Sequence, residues 1–195
     1  MEQEPLHEKV WSIKSSRRHS LELITVILAH LPAIRSSAQF ELRAIYSLSQ
    51  INAEEFGAQA GTDVYFDRPE TEARSLDALL QRSDIEAVTV ALPISVQPAV
   101  VRRALEADKH VLSEKPIAKD VETAENLLSW YNANKVGQVI WSVGENFRFW
   151  DPVLFAHREL QGLEGKVVAF SLTIHDLIEQ DDKFLKSAWY ECNSP

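Results

Sequence analysis

The feature that most constrains the fold is the alternation, from residue 40 onward, of short strand-like runs with amphipathic stretches of helical period. Residues 40–46, 86–92 and 138–143 are rich in apolar or alternating residues, which is typical of strands. Between them apolar residues recur at helical spacing, as in 99–107 and 121–131. This order predicts an α/β fold built on a doubly wound parallel sheet, whose ligands bind beyond the carboxyl ends of the strands.

Particular residues mark where several of these elements begin or end. Asp120 and the pair Asp151-Pro152 are typical of helix starts. Gly57 or Gly61 should end the preceding helix, and Asp108 occupies a position that favours a left-handed C-cap. A further helix is predicted at 76–80, and further strands at 63–66, 110–112 and 166–174, the last one half-buried and antiparallel.

The composition excludes several classes of function. The 195 residues are 45% hydrophobic and 25% charged, as in globular proteins, and a net charge of −9 argues against nonspecific nucleic-acid binding. The longest apolar stretch, 21–31, is shorter than the about 20 residues that cross a bilayer, and the long acidic leader argues against a signal peptide. The single Cys192 cannot form an internal disulfide, and no His, Cys or Asp spacing suggests a metal site. We therefore expect a cytoplasmic protein that binds no nucleic acid, membrane or metal.

The run Glu114-Lys115-Pro116 is the strongest candidate for chemistry because it directly follows a predicted strand end. A lysine there can donate to a hydroxyl or carbonyl oxygen, and a desolvated lysine can pass a proton. Pro116 disfavours α geometry at Lys115 and so restricts the direction of that residue. From the residues alone, the alternative is a solvated Glu–Lys pair in a turn.

The sequence around this run resembles the Gfo/Idh/MocA family of NAD(P)-dependent sugar and diol oxidoreductases. The resemblance extends from about His30 to about His175. The runs that carry it are Val88-Thr89-Val90-Ala91-Leu92-Pro93, Ala104-Leu105-Glu106-Ala107, Lys109-His110-Val111-Leu112-Ser113-Glu114-Lys115-Pro116-Ile117-Ala118 and Asn146-Phe147-Arg148-Phe149. It implies a Rossmann-like nucleotide-binding domain over 30–145 after an atypical segment 1–29. Residues 146–195 would begin a truncated α+β domain that binds substrate and forms a homo-oligomer.

The resemblance also assigns roles to the residues around the lysine. Lys115 would lie near the nicotinamide and the substrate hydroxyl and act as a catalytic proton donor or acceptor. Glu114 and Pro116 would line the cofactor, NAD or NADP, and Leu92 and Pro93 would face its nicotinamide ribose. The small-molecule substrate would be a sugar, polyol or diol.

Three further residues are assigned with some departure from the family pattern. Gln97 stands where the family often has His, and it can still hydrogen-bond to the cofactor. Ser47, also assigned to the cofactor, follows the second family strand, where members carry an acid that binds the ribose hydroxyls of NAD. The missing acid favours NADP. Arg148 either shapes the substrate mouth or makes a structural salt bridge.

Two family elements have no counterpart in the sequence. The chain has six glycines, whereas average usage would give about fourteen in 195 residues, and all six lie beyond residue 56. Nothing matches the Gly-x-Gly-x-x-Gly turn that binds pyrophosphate. In its place, Arg17 and Arg18 either contact phosphate or form a solvated basic turn. The chain also stops at Pro195, before the Asp and His that complete the family's catalytic set. His175-Asp176 would project to opposite faces of a strand.

Three hypotheses follow for the function. The first is an NAD(P)-dependent oxidoreductase lineage that acts by hydride transfer. The second is a non-catalytic nucleotide-binding regulator on the same fold, since a fold alone does not decide function. The third is an incomplete gene product, which would explain both missing elements and leave an inactive chain of enzymatic lineage. His110, Trp130, Trp141 and Trp150 are expected to be structural.

Overall fold

Strands and helices alternate along the chain in a computed structural model, which describes residues 30–67 and 72–166 together with 168, 169, 171 and 173. The α-helices are α1 (Leu31–Ser36), α2 (Gln50–Ala60), α3 (Leu76–Leu80), α4 (Gln97–Glu106), α5 (Val121–Asn134) and α6 (Asp151–Gln161). The strands are β1 (Ala44–Tyr46), β2 (Asp63–Tyr65), β3 (Ala87–Val90), β4 (His110–Ser113) and β5 (Trp141–Val143). Short 3₁₀ turns cover Glu72–Arg74 and Asn146–Phe149. The predictions for 1–29, His175-Asp176 and Cys192 lie outside the described residues.

The strand pairing in the described residues is parallel throughout. Strand β1 pairs with β2, and β4 lies between β3 and β5 in a second sheet. Along this second sheet Val90 lies opposite Ser113, and Ser113 lies opposite Val143. Helices α2 and α4 connect the strands of the parallel pairs β1–β2 and β3–β4, and α5 connects β4 to β5. The predicted α/β, Rossmann-like fold with parallel strands is confirmed.

The strands are shorter than predicted because few residues find a partner strand. Strand β1 starts at Ala44 rather than 40, since its pairing with β2 extends over three residues and Phe40 is exposed. Strand β5 starts at Trp141 rather than 138, because the carbonyl of Val139 accepts a hydrogen bond from the Tyr131 hydroxyl at 2.9 Å. In the predicted strand 166–174, the five residues that the structure describes lie outside regular elements.

The core is centred on helix α4, which packs against β3, β4 and α5. Val101, Ala104 and Leu105 have at most 1% of their surface exposed, as the helical spacing of apolar residues in 99–107 predicts. Leu127 of α5 and Val111 of β4 complete the same cluster. The buried stripe of α4 therefore fixes the position of its first residue relative to the strand ends.

Several predicted helix ends are found where the residue types indicate. Gly61 ends α2 with φ of 68°, and Asp108 follows α4 with φ of 59°, both in the left-handed region. The Asp108 carboxylate accepts from the Lys135 amine at 2.6 Å. Asp120 caps α5 by accepting from the Thr123 N–H at 2.7 Å, and this hydrogen bonding holds the pKa of Asp120 below its usual range. His110 begins β4, and its Nδ1 accepts from the Ile140 N–H at 2.9 Å.

Gly57 lies inside α2 at a close approach to β2, since an added Cβ would clash with Cγ2 of Val64. Gly57→Ala should lower the free energy of unfolding by about 1–3 kcal/mol, the usual cost of overpacking. Urea denaturation followed by circular dichroism measures the change. Gly162→Ala is the matched control, because its nearest neighbour would be the Glu159 carbonyl at an ordinary 3.5 Å. Equal stability of the two variants would contradict the close packing of α2 on β2.

Candidate active site

The candidate active site lies where β3, β4 and β5 end side by side. Because the strands are parallel, the residues that follow Val90, Ser113 and Val143 emerge at one edge of the sheet. Two hydrogen bonds hold these ends together: the Glu114 N–H donates to the Val90 carbonyl at 2.9 Å, and the Gly144 N–H donates to the Ser113 carbonyl at 2.8 Å. The run Glu114-Lys115-Pro116 thus begins between the ends of β3 and β5.

Gln97, at the start of α4, holds the backbone on both sides of Lys115. Its side-chain Nε2 donates to the carbonyl of Glu114 at 2.8 Å and to the carbonyl of Pro116 at 2.9 Å. The residue is 2% exposed, and the Lys115–Pro116 peptide bond is cis. The local turn thus has its polar backbone satisfied from the buried side, which leaves the Lys115 side chain toward the exposed side.

Glu114 pairs with a histidine that is distant in the sequence rather than with the adjacent lysine. His30 Nε2 lies 2.8 Å from Glu114 Oε1, and the two side chains are 17% and 26% exposed. The second carboxylate oxygen accepts from the Lys115 N–H at 3.3 Å. A Cβ added at Gly144 would lie 3.3 Å from the same oxygen, so a glycine there leaves room for the carboxylate.

The Lys115 amine lies over the ring of Phe147, 4.7 Å from the ring centroid. Phe147 belongs to the 3₁₀ turn that follows β5, and its own ring lies 5.7 Å from that of Trp150. Among the described residues the amine makes no ion pair. The alternative of a Glu114–Lys115 side-chain pair in a turn is therefore not the arrangement found.

The end of β1 carries hydroxyl groups. Ser47 Oγ accepts from the Ser49 N–H at 3.2 Å, and Ser49 in turn caps α2. The Tyr46 hydroxyl donates to the carboxylate of Asp67 at 2.8 Å, and the other oxygen of Asp67 accepts from the Leu76 N–H. Burial, followed by this hydrogen bond, raises the pKa of Tyr46 well above its usual range, so the phenol remains a donor.

The other predicted site residues lie around the same strand ends. Leu92 and Pro93 follow β3 and are half-buried, and the Pro93 carbonyl accepts from the N–H groups of Val96 and Gln97 at 2.9 Å. The Arg148 guanidinium lies 5.4 Å from the Phe149 ring centroid and makes no ion pair with a described residue. The cofactor and substrate contacts of these residues, and of Ser47, Glu114 and Pro116, stay predictions.

Sequence reasoning missed two contacts of this site. In the sequence, His30 marks only the start of the family resemblance, and Phe147 is only one member of the Asn-Phe-Arg-Phe run. His30 contacts Glu114, which lies 84 residues later in the chain, and Phe147 contacts Lys115, which lies 32 residues earlier. A single sequence contains no signal for such partners. In the part of the chain that the structure describes, no group of three or more His, Cys, Asp or Glu could hold a metal, and no helix is long and apolar enough to cross a membrane.

Residues 26–142 match the model of an oxidoreductase family with an NAD-binding Rossmann fold, Gfo/Idh/MocA. The chain belongs to this family. The match includes the site residues from His30 to Pro116 and ends within β5, before Gly144 and Phe147. The family's NAD binding agrees with the predicted cofactor, NAD or NADP.

Several known proteins and solved structures are similar to most of this chain. The chain is 46% identical over 162 residues to Dehydrogenase FPY6 of Fusarium mangiferae, which covers 82% of this chain and 46% of that protein. It resembles the crystal structure of KijD10, a 3-ketoreductase from Actinomadura kijaniata in complex with TDP-benzene and NADP, with a TM-score of 0.54 and 29% identity over 70% of this chain and 38% of that one. The crystal structure of apo scyllo-inositol dehydrogenase from Lactobacillus casei gives a TM-score of 0.57 and 25% identity, over 68% of this chain and 37% of that one. The chain thus spans less than half the length of these relatives.

The His30–Glu114 contact should be measurable as a coupling in stability. In a double-mutant cycle of His30→Ala and Glu114→Ala, we expect a coupling of about 0.5–1.5 kcal/mol in the free energy of unfolding, because the pair is partly shielded from water. Urea denaturation of the four proteins measures it. Arg102 and Glu106 on α4 form a half-exposed ion pair at 2.9 Å and serve as control, with a coupling of about 0.3–0.5 kcal/mol. Strictly additive effects at positions 30 and 114 would contradict the contact.

Proposed function

We propose that the chain is the nucleotide-binding part of an NAD(P)-dependent oxidoreductase that acts on a sugar, polyol or diol by hydride transfer. The observation that carries the proposal is the exposed Lys115 side chain at the carboxyl ends of parallel strands, on a turn whose backbone is fixed by Gln97. Relatives of the same family support the substrate class, since they include a 3-ketoreductase and an inositol dehydrogenase.

The described residues fit a nicotinamide and its ribose. Leu92 and Pro93 offer an apolar face at the end of β3, and Glu114 and Pro116 border the turn beside it. When bound, the cofactor supplies the hydride donor or acceptor, and the protein supplies binding and orientation. Lys115 would hold a proton at Nζ and exchange it with the substrate hydroxyl as the carbonyl is reduced or formed. Its contact with the Phe147 ring would be given up for the substrate oxygen.

The choice between NAD and NADP is proposed from the end of β1. A carboxylate there would repel a 2′-phosphate, and the residue at this place is Ser47. The absence of a carboxylate at this place favours NADP, which is also the cofactor held in the KijD10 structure.

The domain division is proposed at residue 145. Up to that point each described α-helix buries apolar residues in one of two core clusters, whereas every residue of α6 is exposed. Residues 146–195 would belong to a second, substrate-binding and oligomer-forming α+β domain, with Arg148 at the substrate mouth. The cytoplasmic location and the incompleteness of the chain stay predictions.

Titration of the purified chain with NADPH and NADH tests the cofactor assignment. We expect saturable binding seen as a change in nicotinamide fluorescence, with a lower Kd for NADPH than for NADH. Binding without turnover across a panel of sugars and diols, by a longer protein that includes the second domain, would favour the non-catalytic regulator. An absence of binding of both nucleotides would contradict the assignment to these residues.

Lys115→Met tests the catalytic assignment. In any protein form that turns over, this variant should lose about 10²–10⁴-fold in kcat, the usual contribution of a positioned acid or base. The matched control is Lys119→Met, which removes an exposed lysine four residues away, 3.9 Å from Asp120. If Lys115→Met and Lys119→Met had the same kcat, the role given to Lys115 would be wrong.

A further inference from the structure

We propose that Gln97 is a positioning residue that sets the place of Lys115 by clamping the two peptide carbonyls on either side of it. The inference rests on the proposed function of Lys115 and gives Gln97 a task that differs from direct contact with a cofactor. It is carried by one juxtaposition: a single amide nitrogen lies 2.8 Å from the Glu114 carbonyl and 2.9 Å from the Pro116 carbonyl.

Both N–H groups of the Gln97 amide are used in this clamp. A side-chain amide has two N–H donors on its nitrogen, and the two carbonyls supply one acceptor each. With Gln97 only 2% exposed, water has little access from its side of the turn. A buried carbonyl that loses its donor is costly, so removal of the amide would let the turn move to find other partners.

The clamp connects the turn to the buried core of the molecule. Gln97 is the first residue of α4, and its N–H donates to the Pro93 carbonyl at 2.9 Å. Val101 and Leu105, one and two turns farther along the helix, are at most 1% exposed within the core. A shift of Gln97 would therefore require a shift of the whole packed helix.

The other contacts of the turn leave the Lys115 amine at a defined place. The Glu114 N–H donates to the Val90 carbonyl, which fixes the residue before Lys115 to the neighbouring strand. With the backbone held on both sides, the side chain extends to the Phe147 ring, 4.7 Å from Nζ. The contact between Lys115 and Phe147 thus reports on the clamp, and it can be measured without substrate or cofactor.

The two hydrogen bonds of the clamp explain why glutamine suits position 97. Glutamate has the same shape but presents oxygens to both carbonyls, and methionine has a similar length without any donor. A neutral histidine has a single ring N–H, so at this position it could serve one of the two carbonyls. Variants at position 97 should therefore fall in a series: Gln, then His, then Met.

Trace acetylation with acetic anhydride, followed by mass spectrometry, measures the reactivity of Lys115 relative to the exposed Lys119 in the same molecule. In Gln97→Met we expect this ratio to rise about twofold to fivefold, the factor expected for loss of an exposed cation–π contact. Phe147→Leu should give the same rise, and the double variant should show no further increase, because both changes break one contact. Gln97→His should give an intermediate ratio.

Gln138→Met is the matched control, since Gln138 is exposed and its Nε2 donates to the Asn134 carbonyl at the end of α5. It should leave the ratio unchanged. An unchanged ratio in Gln97→Met, or multiplied effects in the double variant, would overturn the proposal. If Gln97→Met does not fold by circular dichroism, the ratio in Gln97→His decides in the same way.

Addition of NADPH to the same samples separates this inference from the proposed function. Protection of Lys115 from acetylation in the wild-type chain tests whether the cofactor lies at the turn. A raised ratio in Gln97→Met without nucleotide, together with no protection by NADPH, would refute the cofactor site and retain the clamp. Protection by NADPH that is equal in wild type and Gln97→Met, with unchanged ratios, would refute the clamp alone.

Discussion

The parallel pairing of β3, β4 and β5 is the constraint on which the rest of the site depends. It places Val90, Ser113 and Val143 in one row, so that the chain leaves all three strands at one edge. In an antiparallel sheet the neighbours of β4 would end at the opposite edge, and Gly144 could not reach the Ser113 carbonyl. Helix α4 completes the arrangement because a parallel pair needs a crossover, and the buried stripe of that crossover fixes Gln97 beneath the turn.

Much of this framework is predictable because it depends on local chemistry. The alternation of strand-like and helical periods is a property of neighbouring residues, and it leads directly to the parallel fold. Gly61 and Asp108 adopt positive φ where the chain leaves a helix, as their residue types allow. The carboxyl-end rule then selects the Glu114-Lys115-Pro116 run as the place of the site. None of these steps needs knowledge of a distant contact.

The remaining features depend on contacts between residues far apart in the chain. The family resemblance assigns Gln97 to the cofactor, which stays a prediction, and only the fold reveals that its amide nitrogen donates to two backbone carbonyls. Adjacent charges suggested a Glu114–Lys115 pair, whereas the carboxylate pairs with His30. The lengths of β1 and β5 were overestimated for the same reason, since apolar residues form a strand only where a partner strand runs alongside.

The pairing of Glu114 with His30 has a consequence for the chemistry of Lys115. An amine held by an adjacent carboxylate would have to break a charge-assisted hydrogen bond before it could reach a substrate, at a cost of about 1.5–3 kcal/mol. Here the carboxylate is occupied, and the amine lies against an aromatic ring, a contact worth about 0.5–1 kcal/mol at an exposed site. In the proposed reaction, a substrate hydroxyl would displace such a partner at little cost. The turn combines a backbone held by hydrogen bonds with a side chain that is weakly held, and the proposed proton exchange with a bound alcohol would require this combination.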